Sequence, residues 1–407
     1  MTRSTTTPRA PTARHATLLA QQRRKMANSA HAYVRGNTRQ FYAWLRARGR
    51  RSVPIGPPVW ICGDCHVGNL GPVANADGKI EIQIRDLDQT VIGNPAHDLI
   101  RLALSLATAA RGSDLPGVTT AHMLEEMMTG YENALADGRG RSVLAAPKPE
   151  SVRIVMKRAM GRTWKHLAEE RLEDVRPTIP LGDRFWPLTK TERKAIDRLF
   201  HEEAIRKLVT SLKSRKNSAS IEILDAAYWM KGCSSLGRLR YAVLLGIGKQ
   251  ARRDDFCLID IKEATVAAAP RARGATMPRD PARRVVEGAR RLAPFLGDRM
   301  MATWLLKRPV FVRELMPQDL KLEIDQLTRA EAVKAARFLA GVVGRAHARQ
   351  MDSTTRRAWR RQLAASKTPR LDAPSWLWSS VVELIVSHEA AYLAHCRDFA
   401  RAVAADQ

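Results

Sequence analysis

The sequence predicts an α+β chain built as two lobes, a small one rich in strands and a larger one that is mostly helical. Three observations lead there. Residues 117–220 read as mostly helical and strongly charged. Near residue 225 the texture changes to short apolar runs of strand type: Tyr228–Lys231, Tyr241–Leu245 and Phe256–Ile261. From Thr328 the helical pattern returns. With 407 residues the chain can bury a large core and divide into two or three domains. The predicted organisation is a disordered basic tail over 1–19, the first part of the helical lobe over 20–220, a small β lobe over 221–325, and helices over 326–407 that complete the large lobe.

Each element follows from local pattern. From about Thr17 to Arg48 the spacing is helical, and Pro54, Gly56, Pro57 and Pro58 break it. Val59-Trp60-Ile61-Cys62 reads as a short strand leading into Gly63-Asp64-Cys65-His66-Val67-Gly68-Asn69-Leu70. Asp77-Gly78 sits where a two-residue hairpin turn would. The strand after it, Lys79 to Ile84, alternates polar and apolar and runs into Arg85-Asp86-Leu87-Asp88. A buried helix follows from Asp98. Val285, Val286, Glu287, Ala289, Leu292 and Leu296 give a helix, and Pro309–Leu315 a strand. Thr328 and Glu331 form a capping box for a helix ending near Arg349. Trp376 to about Val403 is the last helix. No internal repeats are visible.

Composition narrows the class. Apolar residues make up 45% of the chain, which argues against wholesale disorder. No apolar run approaches the roughly 20 residues of a membrane span, and the N-terminus lacks a signal-peptide pattern, so a cytoplasmic protein is expected. Five cysteines without a disulfide-framework spacing imply reduced thiols. Lys and Arg total 68 against 41 Asp and Glu, a net charge of +27 that attracts anions. Met1 to Gly63 holds 12 basic residues and no acid, and Asp64 is the first carboxylate. Arg35, Arg39, Arg46 and Arg48 lie in that stretch, and Arg35 above all is a candidate to hold nucleotide phosphates or an anionic acceptor.

Phosphoryl transfer needs a carboxylate to orient or deprotonate the attacking hydroxyl, and oxygen ligands for Mg²⁺. In kinases a base Asp is followed five positions later by a metal-binding Asn, and a second metal Asp ends a hairpin. Asp64 and Asn69 have that spacing, and the hairpin 71–84 delivers Asp86 to the same end, with Asp88 as the fallback ligand. Gly63-Asp64 alone would be an ordinary tight turn; loop, hairpin, Asp-x-Asp and the Asp98 helix together are a stronger pattern. Cys62-x-x-Cys65-His66 also spells a c-type haem site, but no export signal is visible. A thioredoxin motif would open a helix, and a zinc site would want a second ligand pair.

Gly232-Cys233-Ser234-Ser235-Leu236-Gly237 lies between two strands and suits a loop whose amides fold over phosphates, with Gly232, Ser234, Ser235 and Gly237 as its contacts. Lys262 ends the next strand. A strand-borne Lys reaches α and β phosphates when a helix Glu holds it, and Glu287 is that candidate.

These residues resemble a known family. Ile61 to Asn69, Ile84-Arg85-Asp86-Leu87-Asp88 and Gly93-x-x-x-x-Asp98-Leu99-x-Arg101-Leu102 look like the bacterial family called domain of unknown function 2252. Lys25-Met26, Tyr33-Val34-Arg35-Gly36, Ile261-Lys262-Glu263-Ala264 and Val285-Val286-Glu287-Gly288 match it further, over roughly residues 20 to 400. The resemblance implies a protein-kinase-like fold similar to that of aminoglycoside and choline phosphotransferases, whose loop reads His-Gly-Asp-x-His-x-x-Asn. It implies Asp64 as base, Asn69 and Asp86 as metal ligands, and Lys262 with Glu287 as the nucleotide-anchoring pair. Cys62 stands where those kinases have His, and Ser234 replaces a loop glycine. The lysine lobe follows the catalytic loop instead of preceding it, which implies circular permutation, with the helix 328–349 leading toward the loop and His347 packed in it. The function expected is ATP- and Mg²⁺-dependent phosphotransfer, or nucleotidyl transfer, to an acceptor that is anionic or bears a hydroxyl. A non-catalytic nucleotide-binding relative is the first alternative. A basic nucleic-acid-binding protein is another, though no zinc-finger or RNA-recognition motif supports it.

Overall fold

A computed structural model describes residues 11–49, 53–137, 147–162, 178–212, 215–231, 237–248, 256–322, 327–368 and 371–405. The predicted helix 17–48 forms as three: α1 (Pro11–Ala27), α2 (Ala30–Gly36) and α3 (Thr38–Arg48). The two breaks are capped by side chains. Ser29 accepts from the Ala32 amide and Asn37 from the Gln40 amide, which satisfies N–H groups that an interrupted helix leaves open. Residues 1–10 of the expected tail lie outside the described residues. Its remainder is not loose: Arg14 is fully buried in α1 and forks onto Glu192 at 2.6 and 2.9 Å.

Strands β1 (Val59–Ile61), β2 (Leu70–Ala74), β3 (Ile80–Ile84) and β4 (Val91–Gly93) follow. β2 and β3 are the predicted hairpin, in register from Leu70↔Ile84 to Ala74↔Ile80. Its turn is wider than two residues, because Asn75 Oδ1 accepts from both the Asp77 and Lys79 amides. β4, too short to show a pattern, pairs with β1. α4 (Pro95–Gly112) starts with Pro at its first position, so Asp98 sits inside its first turn. α5 (Gly117–Asp137), α6 (Glu150–Met160), β5 (Phe185–Trp186), α7 (Lys190–Phe200) and α8 (Glu203–Val209) come next.

The strand-rich part contains β6 (Ile221–Trp229), β7 (Arg240–Ile247), β8 (Phe256–Glu263), then α9 (Pro281–Leu292), α10 (Pro294–Gly297), β9 (Met300–Leu305) and β10 (Arg308–Leu315). The sheet has six strands in the order β5-β6-β7-β8-β10-β9, all antiparallel. Side chains alternate between faces. Tyr241, Val243, Ile259, Ile261, Val310 and Val312 bury one face against α7 and α8. Arg240, Asp260, Lys262, Phe311 and Arg313 share the other, and Lys262 lies in register between Arg240 and Phe311.

The chain ends with α11 (Arg329–Ala348), α12 (Ser353–Ala364) and α13 (Ser375–Ala405). Thr328 caps α11 by accepting from the Glu331 amide. Glu331 does not complete the box; its Oε2 accepts from the Glu150 amide at 2.7 Å, which joins α11 to α6. α5 and α11 cross at glycines: a Cβ on Gly130 would lie 2.0 Å from the Arg337 carbonyl oxygen. The main core runs through α4, α5, α11 and the strands β1 to β4 and includes Val285, Val286 and Phe311 from the sheet side.

Candidate functional site

The loop after β1 is held by its backbone. Gly63 has φ +74°, and a Cβ there would lie 2.2 Å from the Gln89 carbonyl oxygen, so the turn requires glycine. The Cys62 and Gly63 amides donate to the two oxygens of Asp98 at 2.7 and 2.9 Å. Tyr42 Oη donates to the Gly63 carbonyl at 2.7 Å and Thr90 Oγ1 to the Ile61 carbonyl at 2.6 Å. Asp98 is fully buried and is also 3.1 Å from His347 Nε2. His347 Nδ1 lies 3.0 Å from Tyr131 Oη, which accepts from Trp359 Nε1 at 3.2 Å. With the proton on Nε2, the ring donates to Asp98 and accepts from Tyr131, so every member of the chain is satisfied.

Asp64 projects from this fixed turn. Its Oδ1 accepts from Arg101 Nε at 2.8 Å, and the fully buried Arg101 donates a second bond to the Val34 carbonyl. The carboxylate is thereby oriented while its second oxygen is left unused by Arg101. A 3₁₀ turn over Val67–Asn69 turns Asn69 back so that its Nδ2 donates to the Asp64 carbonyl at 2.9 Å. Gly68 in this turn lies against Arg35: a Cβ there would be 3.1 Å from the Arg35 guanidinium carbon. Arg35 is therefore beside the loop. Arg48 is not; it bonds Ser380 and Glu383 and ties α3 to α13.

The hairpin brings its two ends together. The Arg85 amide donates to the Asn69 carbonyl at 2.7 Å, which sets Asp86 beside Asn69. Lys262 Nζ is 3.7 Å from Asp86 Oδ2 and also pairs with Asp88 Oδ2. The two acids differ in character. The Asp86 side chain is 47% exposed and that of Asp88 14%. Burial pushes Asp86 upward, but Lys262, Arg313 and Arg240 outweigh it and hold the carboxyl well below its ordinary range. Burial and the adjacent Asp86 charge raise Asp88, with Lys262 offsetting part of the effect. Asp86 is the ionised, open member, and Asp88 is engaged by the lysine. Arg240 and Arg313 clasp Asp260 between them at 2.6 to 3.1 Å, and Arg313 also reaches the Arg85 carbonyl.

The remaining predicted residues divide. Glu287, expected beside Lys262, pairs instead with Arg291 one turn along α9, at 3.5 Å. The α9 residue that reaches the site is Arg284, which is buried and donates to the carbonyls of Asp88 (2.8 Å), Thr265 (2.9 Å) and Thr90. Gly232, Ser234 and Ser235 lie outside the described residues. Gly237 has φ +94° and abuts His15 of α1, whose ring nitrogen would be 3.1 Å from a Cβ there. The thiols of Cys62 and Cys65 are buried and free. A hydrogen bond to Cys65, together with burial, pushes the Cys62 thiol up, and burial outweighs the return contact at Cys65. Such thiols are poor nucleophiles and ligands.

Sequence reasoning missed Arg101, Arg284 and the Arg240–Asp260–Arg313 cluster. Two had a visible signal: Arg101 lies one turn after Asp98 in an otherwise apolar helix, and Asp260 shares the strand face of Lys262 by two-residue spacing. Among the described residues no group of three His, Cys, Asp or Glu side chains gathers as a metal site. Mg²⁺, however, commonly takes only one or two protein oxygens and completes its shell with water and phosphate. The ionised, half-exposed Asp86 carboxylate, with Asn69 tied to the neighbouring Arg85 through its backbone carbonyl, offers oxygens of the kind that donor set uses.

Among the described residues no helix is long and apolar enough to cross a membrane. No curated protein and no solved structure was found to match the chain. A family model described as an uncharacterized protein conserved in bacteria (DUF2252) matches residues 14–398. The chain belongs to that family.

Proposed function

We propose that this protein is a phosphotransferase of protein-kinase-like, circularly permuted architecture that uses ATP and Mg²⁺. The observation that carries the reading is the approach of Lys262 Nζ to 3.7 Å from Asp86 Oδ2, from a strand far downstream of the catalytic loop. A lysine on a sheet facing an ionised aspartate at a hairpin end is the pairing that grips nucleotide phosphates from two sides. The orientation of the sheet supports the same reading, since the apolar face is covered by α7 and α8 and the charged face carries Lys262.

In this reading Asp86 and Asn69 would hold the cation, whose charge would offset that of the phosphates. Lys262 moves from the carboxylates to the α and β phosphates. Asp64, oriented by Arg101 and by a backbone locked to Asp98, accepts the proton of the attacking hydroxyl through its unused oxygen. Arg35, beside Gly68, binds an anionic group of the acceptor or nucleotide. Arg284 takes the structural place proposed for Glu287 by tying α9 to the Asp88 and Thr90 backbone.

The test is ATP turnover with Mg²⁺, followed as release of ADP or, for nucleotidyl transfer, of pyrophosphate. Asp64→Asn keeps the shape and removes the accepting charge. Turnover is expected to fall by roughly two orders of magnitude or more while ATP binding persists. Equal turnover in the purified Asp64→Asn protein refutes the role.

A further inference from the structure

The β2–β3 hairpin has a second end, away from the catalytic residues, and a cavity of about 200 Å³ opens there between the hairpin, α6 and α11. Its wall combines two chemistries. Ile82, Met156, Leu292, Phe338 and Val342 supply apolar surface, and Lys79, Lys148, Arg345 and Arg349 supply four cations. One carboxylate, Glu81, lines the same wall, and it is shared between Lys79 at 3.0 Å and Arg345 at 3.1 Å. Lys148 and Arg349 make no ion pair with it, Arg349 donates instead to the Leu292 carbonyl at 2.9 Å, and Arg345 and Arg349 stand one helical turn apart, where like charges repel. One cationic donor in the wall is also unmatched: Arg345 Nε is buried without a hydrogen-bond partner among the described residues. Buried polar groups are ordinarily satisfied, so this donor points to a missing acceptor.

We propose that this cavity is a second binding site, for a small organic anion with an apolar body. The anionic head meets Arg345, Arg349 and Lys148, and the body lies along Phe338, Val342 and Met156. Water occupies about 30 Å³ per molecule in the liquid, so the volume suits a chain of about eight carbons. The site is separate from the phosphotransfer residues: Glu81 and Asp86 are five residues apart along and just beyond β3, roughly 16 Å at strand rise.

Isothermal titration of sodium octanoate into the full chain tests this, with 1-octanol as the uncharged probe. One saturable site is expected, weakened at least tenfold in Arg349→Ala and in Arg345→Gln, with 1-octanol bound at least tenfold more weakly. Lys148→Ala, at an exposed side chain, is expected to weaken octanoate as well and serves if Arg345→Gln fails to fold. Absence of saturable octanoate binding, equal affinity in the variants, or equal affinity for 1-octanol overturns the proposal. The titration contains no nucleotide, so its result is independent of the phosphotransfer reading.

Discussion

Asp98 gives the sharpest stability test of how the Asp64–Asn69 loop is held. The carboxylate is fully buried and takes three hydrogen bonds, from the Cys62 amide, the Gly63 amide and His347 Nε2. In Asp98→Asn one oxygen remains to accept one amide, and the new NH₂ faces the other donor. Two donors are then left opposed in a fully buried site. At about 1–3 kcal/mol per unsatisfied buried group, the loss comes to about 2–6 kcal/mol. Asp98→Ala strands all three donors, for about 3–9 kcal/mol, a large share of the roughly 5–15 kcal/mol that holds a typical domain folded. Urea denaturation followed by circular dichroism reads these values as shifts in midpoint. Pairing Asp98→Asn with His347→Phe in a double-mutant cycle should return a coupling above about 1 kcal/mol, because the two side chains are in contact. An Asp98→Asn loss below about 0.5 kcal/mol would show that the loop does not depend on this carboxylate.

Two further predictions concern the scaffold. Gly130→Ala places a methyl against the Arg337 carbonyl between two packed helices and should destabilise by about 1–3 kcal/mol, as overpacking does; an unchanged urea midpoint would mean that α5 and α11 separate freely. Burial pushes His97 and His388 down to about 4 from 6.5. The folded state therefore binds fewer protons than the unfolded one between those values, so stability is full above about pH 6.5 and falls as the pH drops toward 4. His388, only 2% exposed, contributes up to about 3 kcal/mol of this fall. His388→Phe should flatten the acid limb of the melting curve, and an identical limb in that variant contradicts the assignment.

Local chemistry was legible where neighbouring residues dictate it. The β2–β3 hairpin, the Asp64–Asn69 loop and the strands β7 and β8 follow from alternation and turn residues within a few positions, whereas the strand expected at Tyr228–Lys231 forms earlier, over Ile221–Trp229. β9 was not visible because Met300–Leu305 is mostly half-exposed and lacks clean alternation, and α12 because Ser353–Ala364 is polar on most of its surface and buries chiefly Trp359 and Leu363. The partner of Lys262 was the harder question. A helix Glu was the expected neighbour, but which face of α9 meets the site depends on how its apolar stripe, Val285, Val286 and Ala289, docks on β9, β10 and β1. That docking turns Arg284 inward and Glu287 along the helix toward Arg291. The buried Arg101–Asp64 and Arg240–Asp260–Arg313 contacts are likewise products of tertiary packing, and spacing shows only that each pair could share a face.

Calorimetric titration of ATP, with and without Mg²⁺, into the wild-type chain, Asp86→Ala and Lys262→Met bears most directly on the phosphotransfer reading. The reading predicts one nucleotide site that tightens with Mg²⁺, loses that Mg²⁺ dependence in Asp86→Ala, and weakens in Lys262→Met with or without the cation. No ATP binding to the folded wild-type protein, or equal affinity in all three proteins, would contradict it.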